Sequence, residues 1–207
     1  MVVDAANGNE DVTMDRREFF KAGIQQTSKT AVQIADEYVT QRAYRWIRPP
    51  YALDELEFLL ACTRCDKCVE ACPHKVIFTL PARLGVQVAG TPALDLLNKG
   101  CHLCSDWPCI EVCEPKALRY PELEKEEPRP LPQIAYAEIN TQTCLPYSGP
   151  ECSACAHACP VPGAMIWEKG KPRINPETCT GCGLCREECI VELKAIDIRS
   201  LLQPDSY

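Results

Sequence analysis

Apolar positions early in the chain follow a helical beat. Phe20, Ile24, Thr27, Ala31, Ile34 and Tyr38 recur at steps of four and three, and Ala35, Val39, Ala43 and Trp46 widen the stripe. One face of an α-helix gives that spacing. The pattern predicts an amphipathic helix over residues 15 to about 47, stopped ahead of Pro49-Pro50 because a residue before proline avoids the helical region. The stripe fits packing on the chain's own body, or a docking arm for a partner subunit or a second copy. Further on, residues 76–80, 117–120, 164–168 and 195–199 are rich in β-branched or aromatic side chains, and 133–140 alternates, so each predicts a strand. Segment 121–132, PELEKEEPRPLP, is charged and proline-rich and reads as a semi-rigid connector. Residues 1–13 read as a disordered tail. The expected organisation is a tail (1–13), a helical arm (14–50), a first half (51–120), the connector (121–132) and a second half (133–207).

Composition changes this picture at one residue type. The 207-residue chain holds 16 cysteines, and they fall into four groups with none left over: Cys62, Cys65, Cys68, Cys72; Cys101, Cys104, Cys109, Cys113; Cys144, Cys152, Cys155, Cys159; and Cys179, Cys182, Cys185, Cys189. Each group ends in C-x3-C, and the first and last read C-x2-C-x2-C-x3-C throughout. That is the bacterial ferredoxin run, in which three close thiolates hold one iron–sulfur cube and the fourth reaches a neighbouring cube. Disulfide scaffolds suit shorter secreted chains, and cysteines two residues apart are poorly placed to staple distant loops. Structural zinc favours separated C-x2-C pairs or pairs completed by histidine. The cysteines therefore predict four [4Fe–4S] clusters and the movement of single electrons. Small residues between ligands (Ala71, Ala154, Ala156, Gly181, Gly183) fit tight loops whose amides face the cluster. Pro73 and Pro160 follow the last cysteine of their groups and are expected to end short helices.

In two-cluster ferredoxins the fourth cysteine serves the partner cube. The short gap from Cys159 to Cys179 pairs the third and fourth groups. One cube then takes Cys144, Cys152, Cys155 and Cys189, and another Cys179, Cys182, Cys185 and Cys159. By elimination Cys62, Cys65, Cys68 and Cys113 form a third set, and Cys101, Cys104, Cys109 and Cys72 a fourth. A nested arrangement, first group with fourth and second with third, stays open. The fold class is α+β: tandem pseudo-symmetric bacterial-ferredoxin-like modules with small two-stranded sheets behind an N-terminal amphipathic helix. Because the cubes gather loops that lack another core, metal binding is coupled to folding and the apoprotein is expected to be largely disordered.

A formal charge of −7 argues against nucleic acid, and there is no apolar run long enough for a transmembrane segment. Residues 15–21, DRREFFK, look like a twin-arginine export motif, but the following stretch is polar rather than apolar. A retained helix and a cytoplasmic location are expected, with twin-arginine export to the periplasm as the alternative. His74, His102 and His157 lie near the cysteines and read as surface or supporting groups, since sixteen thiols already supply every cube. Trp107 is expected either to shield its cube from water or simply to pack.

The order of the four spacings resembles the NapG/MauM family of ferredoxin-type proteins. So do Arg48-Pro49-Pro50, Ala61-Cys62-Thr63-Arg64-Cys65, Cys179-Thr180-Gly181-Cys182-Gly183 and the proline-free ending Cys189-Ile190-Val191-Glu192. The resemblance covers roughly residues 48–199 and implies four [4Fe–4S] clusters in an electron-transfer chain of several proteins. Its periplasmic nitrate-reduction members work beside a membrane quinol-oxidising protein. By analogy alone, polyferredoxin subunits of cytoplasmic molybdenum or tungsten enzymes suit an unprocessed arm. The expected role is an electron-relay subunit between a donor or acceptor protein and a catalytic redox subunit, with no catalytic residues of its own. The rivals are an enzyme using one cube with an open iron, and an assembly module that self-associates through residues 15–47.

Overall fold

A computed structural model describes residues 45–122 and 129–202, together with Ile34, residues 36–39 and Ala43. By contacts the chain divides into Met1–Glu37 and Tyr38–Tyr207. In the first unit Ile34, Asp36 and Glu37 are helical and exposed; the tail and most of the expected arm, with its twin-arginine motif, lie outside the described residues. In the second unit Tyr38, Val39 and Ala43 are helical, and residues 45–47 form a turn, a bend and a bridge. The expected continuation of the helix to Ile47 is therefore corrected. Ile47 forms an isolated antiparallel bridge with Leu94, because the prolines that follow favour extended backbone and the Leu94 N–H reaches the Ile47 carbonyl at 2.8 Å. Ala43 and Trp46 are buried with Leu80, Val88 and Ala93, so this end of the apolar stripe packs on the body.

Among the described residues there are three two-stranded antiparallel sheets. Strand β1 (Ile77–Thr79) pairs with β2 (Pro92–Leu94), β3 (Tyr136–Ile139) with β6 (Ile196–Arg199), and β4 (Met165–Glu168) with β5 (Lys171–Ile174). The pairing repeats in the two halves. In each, the segment after the first cysteine group pairs with the segment before the second (β1 with β2, β4 with β5). The entering segment pairs with the leaving one: β3 with β6 in the second half, and Ala52 with Leu118 in the first. There the expected strand over 117–120 is reduced to that single bridge, flanked by Leu53 N–H to the Ala117 carbonyl at 3.1 Å and Arg119 N–H to the Tyr51 carbonyl at 3.0 Å. The β4–β5 hairpin turns through Lys169 (φ 51°) and Gly170 (φ 76°), the two positive φ angles a tight hairpin needs.

The helices are short: α1 (Glu55–Ala61), α2 (Lys67–Ala71), α3 (Pro108–Glu111), α4 (Leu145–Ser148) and α5 (Leu184–Glu187). Cys72 caps α2 ahead of Pro73, as expected. Pro160 instead follows a run of turns over 154–158, because the third group has no helix between Cys152 and Cys159.

The two halves share a core. Phe58, Val76, Ile77, Leu94, Leu96, Trp107 and Leu118 are buried together with Ile134, Ala135 and Cys182 from beyond the connector. A seam largely of main chain ties them: Cys101 N–H donates to the Cys182 carbonyl at 2.7 Å, Gly100 N–H to Glu187 Oε2 at 2.8 Å, and Arg186 Nε to the Leu97 carbonyl at 3.1 Å. Gly100 is required by closeness alone, since a Cβ there would lie 2.7 Å from the Leu184 backbone.

One ion pair braces the first half. Arg48 Nε donates to Glu55 Oε2 at 2.8 Å and its Nη2 to Oε1, while Nη1 donates to Thr91 Oγ1 at 2.9 Å and the Pro92 carbonyl at 2.8 Å. Trp46 Nε1 also donates to Glu55, at 3.2 Å, and the guanidinium lies 4.5 Å from the Phe58 ring centre. The pair is buried, 10% and 2% exposed at the side chains. Arg48→Ala strands the Glu55 carboxylate, and loss of one partner of a buried pair costs about 3–5 kcal/mol. Denaturation of the metal-loaded protein is expected to show a clearly lower midpoint. Arg199→Ala removes the exposed partner of Glu138 and is expected to change stability by less than about 1 kcal/mol.

Candidate functional site

All sixteen cysteines are free thiols. Cys62, Cys65, Cys68 and Cys113 line one cavity. Cys144, Cys152, Cys155 and Cys189 line another, and Cys159, Cys179, Cys182 and Cys185 a third. Cys72, Cys101, Cys104 and Cys109 are near one another as well: Cys72 and Cys101 both act on Cys109, and Cys72 on Cys104. Each set draws three thiols from one group and one from an adjacent group.

Backbone conformation brings these thiols together. In the first, second and fourth groups the residue two after the first cysteine is left-handed: Arg64 (φ 57°), Leu103 (φ 49°) and Gly181 (φ 70°). The residue before each short helix is left-handed too: Asp66 (φ 59°), Trp107 (φ 43°) and Gly183 (φ 80°). Such alternation folds the chain into a concave nest of amides that favours an anion. The Gly181 N–H lies 3.4 Å from Cys179 Sγ, and the Arg64 and Leu103 amides act in the same way on Cys62 and Cys101. The fourth thiols also accept: Leu118 N–H to Cys113 Sγ at 3.3 Å and Ala195 N–H to Cys189 Sγ at 3.4 Å. The glycines were legible in the sequence as tight-loop residues. Arg64, Leu103 and Trp107 were not, because nothing in a side chain of that kind announces a positive φ.

Electrostatics inside the cups oppose ionisation. Burial, then the neighbouring thiols, push Cys68 up to about 12. Burial likewise raises Cys101 and Cys109 to about 12 and Cys155 to about 11. Cys185 is raised by burial and then by Cys182, Cys179, Cys155 and Cys159. Only a cation core among the sulfurs turns this mutual repulsion into attraction. Among the described residues no three Cys, His, Asp or Glu side chains are placed to hold a single metal ion. Free thiols in fours around apolar-walled cavities, with amides aimed at sulfur, fit an iron–sulfur cube.

His74, His102 and His157 are exposed. His74 and His102 stack with ring centres 3.5 Å apart, and burial together with His74 lowers His102. Trp107 is buried and packs edge-on against Tyr51, 5.1 Å between ring centres.

Cavities ringed by four thiols between short helices and two-stranded sheets define a ferredoxin-type iron–sulfur protein. Residues 136–190 match the family model of the 4Fe–4S dicluster domain and residues 60–78 that of the 4Fe–4S binding domain. The chain is 33% identical over 169 residues to the methylamine utilization ferredoxin-type protein MauM of Paracoccus denitrificans, covering 74% of this chain and 71% of the relative. It is 31% identical over 204 residues to MauM of Methylorubrum extorquens, covering 88% of each. To the ferredoxin-type protein NapG of Haemophilus influenzae it is 33% identical over 165 residues, 73% of this chain, but it spans only 58% of that relative's length. The chain belongs to the NapG/MauM family of ferredoxin-type electron-transfer proteins.

Gly181 carries a sharp test of the cavity of Cys159, Cys179, Cys182 and Cys185. A Cβ at this position would lie 1.9 Å from the Ala135 carbonyl oxygen, at a φ that already disfavours a side chain. Gly181→Ala is expected to cost on the order of 3 kcal/mol and to lower the bound iron. Gly170→Ala, where a Cβ meets nothing within 4 Å, is expected to keep it all.

Proposed function

We propose that this chain is an electron-relay subunit holding four [4Fe–4S] clusters, without substrate chemistry of its own. Three cavities, each ringed by four thiols, and a fourth set of four neighbouring thiols carry this reading. The first cluster is assigned to Cys62, Cys65, Cys68 and Cys113, and the second to Cys101, Cys104, Cys109 and Cys72. The third is assigned to Cys144, Cys152, Cys155 and Cys189, and the fourth to Cys179, Cys182, Cys185 and Cys159. A bound cube supplies one-electron redox chemistry that makes and breaks no bond to substrate. The chain's residues fix its position, exclude water with apolar walls and aim amides at its sulfurs.

Neighbouring thiols support a linear order of the four sets. Cys68 acts on Cys109, Cys182 on Cys101, and Cys155 on Cys185. The sets thus adjoin as first, second, fourth, third. The first set ends the series with the exposed Cys65, and Ile190 and Leu193 stand exposed beside the third, 70% and 76%. Those ends suit a donor or acceptor protein and a catalytic redox subunit. A cytoplasmic molybdenum or tungsten oxidoreductase is the partner this reading favours; a quinol-oxidising system feeding a periplasmic reductase is the second, favoured by the similarity to NapG. Among the described residues no helix is long and apolar enough to cross a membrane. Self-association through residues 15–47 rests on the apolar stripe, of which Ile34 and Tyr38 are exposed.

Iron analysis of anaerobically purified protein is expected to give about 16 Fe per chain, four per cube; about eight would overturn the four-cluster reading. Cys189→Ser is expected to perturb the cube of Cys144, Cys152 and Cys155, and a change confined to the cube of the first group would favour nesting instead. Loading also has a pH signature. Cys68, Cys101, Cys109 and Cys155 keep their protons at neutral pH because burial raises them, and iron takes the thiolate. Reconstitution is therefore expected to release roughly one proton per ligand and to tighten as pH rises toward the raised values near 12.

A further inference from the structure

Among the described residues two buried side-chain polar atoms have no hydrogen-bond partner, Trp167 Nε1 and Thr180 Oγ1. Neither lies in an ordinary core. Trp167 lines the cavity of Cys144, Cys152, Cys155 and Cys189, and Thr180 the cavity of Cys159, Cys179, Cys182 and Cys185. An indole N–H donates only, and an unmet buried donor is costly, so its presence implies an acceptor. The walls of the Trp167 cavity offer little else: they are Ile139, Leu145, Pro146, Val191 and the like. Thr180 is 4% exposed, and its backbone is fixed because its carbonyl accepts from Ile134 N–H at 2.8 Å and Ala135 N–H at 3.3 Å.

We infer that Trp167 Nε1–H and the Thr180 hydroxyl are donors to sulfur of the third and fourth clusters and set their reduction potentials. The inference rests on the proposed four-cluster reading. Reduction adds negative charge to the cube and its thiolates, and a fixed donor stabilises the more negative state, so each donor raises the potential of its own cube. The two residues are positioning and tuning groups; neither is a ligand.

Potentiometric titration followed by electron paramagnetic resonance, on anaerobically purified protein with its iron counted, tests this. Thr180→Val keeps the packing shape, Trp167→Phe keeps an aromatic ring in the wall, and each removes the donor. Each is expected to retain about 16 Fe and to lower one midpoint, so that at fixed poise the reduced-to-oxidised ratio of that cube falls several-fold. The two variants are expected to move different midpoints, and the double variant both. Thr180→Ser, which keeps the hydroxyl, is expected to stay at the wild-type values, and it decides the matter with Thr180→Val where Trp167→Phe fails to retain iron. Full iron with unmoved midpoints, as when a water satisfies the donors, overturns the inference, as does a shift of one shared midpoint. Wild-type protein with about half the expected iron overturns the four-cluster reading instead.

Discussion

The rest of the structure depends on holding sulfur atoms together that repel one another when ionised. Burial and the company of other thiols drive Cys68, Cys101 and Cys109 to about 12, and no hydrophobic gain follows from their meeting as such. The fold meets the constraint locally, with a left-handed residue inside each C-x2-C loop of the first, second and fourth groups and another ahead of the helix that carries the third thiol. The first set of these turns puts amides on the leading thiols. Helices four to seven residues long do not stand alone in water. Here they turn a thiol inward and stop.

The same closeness makes one body of what the sequence divides at its connector. Where Cys101 N–H meets the Cys182 carbonyl, and Gly100 meets Leu184, the second and fourth thiol sets share a wall of main chain. Close approach of backbones explains why glycine stands at positions 100 and 181, and the two needs differ. At Gly100 space alone is short. At Gly181 the space and the φ of 70° both exclude a side chain. The buried Arg48–Glu55 pair does for the entering segment what this seam does for the halves. It is costly to desolvate and is justified by complete bonding to Thr91, Pro92 and Trp46.

The cysteine spacing made the thiol residues legible because metal chemistry leaves little freedom in spacing. Four of the five expected strands exist, because β-branched and aromatic runs such as Met165–Glu168 and Ile196–Arg199 advertise themselves. Strands β2 and β5 were not read from the sequence. Pro92 opens one and Pro172 sits within the other, and such prolines are tolerated only because each strand has a single neighbour. Residues 117–120 have the right composition for a strand, yet their partner across the sheet is the turn at Tyr51 and Ala52, which offers one bridge. The seam was hidden for a different reason. It is made largely of amides and carbonyls, which every sequence possesses, and side chains such as Glu187 on the Gly100 amide and Arg186 on the Leu97 carbonyl join residues far apart in the chain.

Burial of the thiols follows the order in which the sets adjoin. Cys101 and Cys109 of the second set and Cys182 and Cys185 of the fourth are buried, whereas the first set has no buried thiol and the third only Cys144. Burial opposes any added negative charge, so it lowers the potential of an enclosed cube relative to an open one. Left alone, that gradient would make the inner positions of a relay harder to reduce than its ends. Amides aimed at Cys101 and Cys179, and the Thr180 hydroxyl beside Cys182, act against it at the places where burial is deepest. Enclosure and donation are thus set against each other residue by residue, and a relay needs that balance, because an electron that falls into one deep well goes no further.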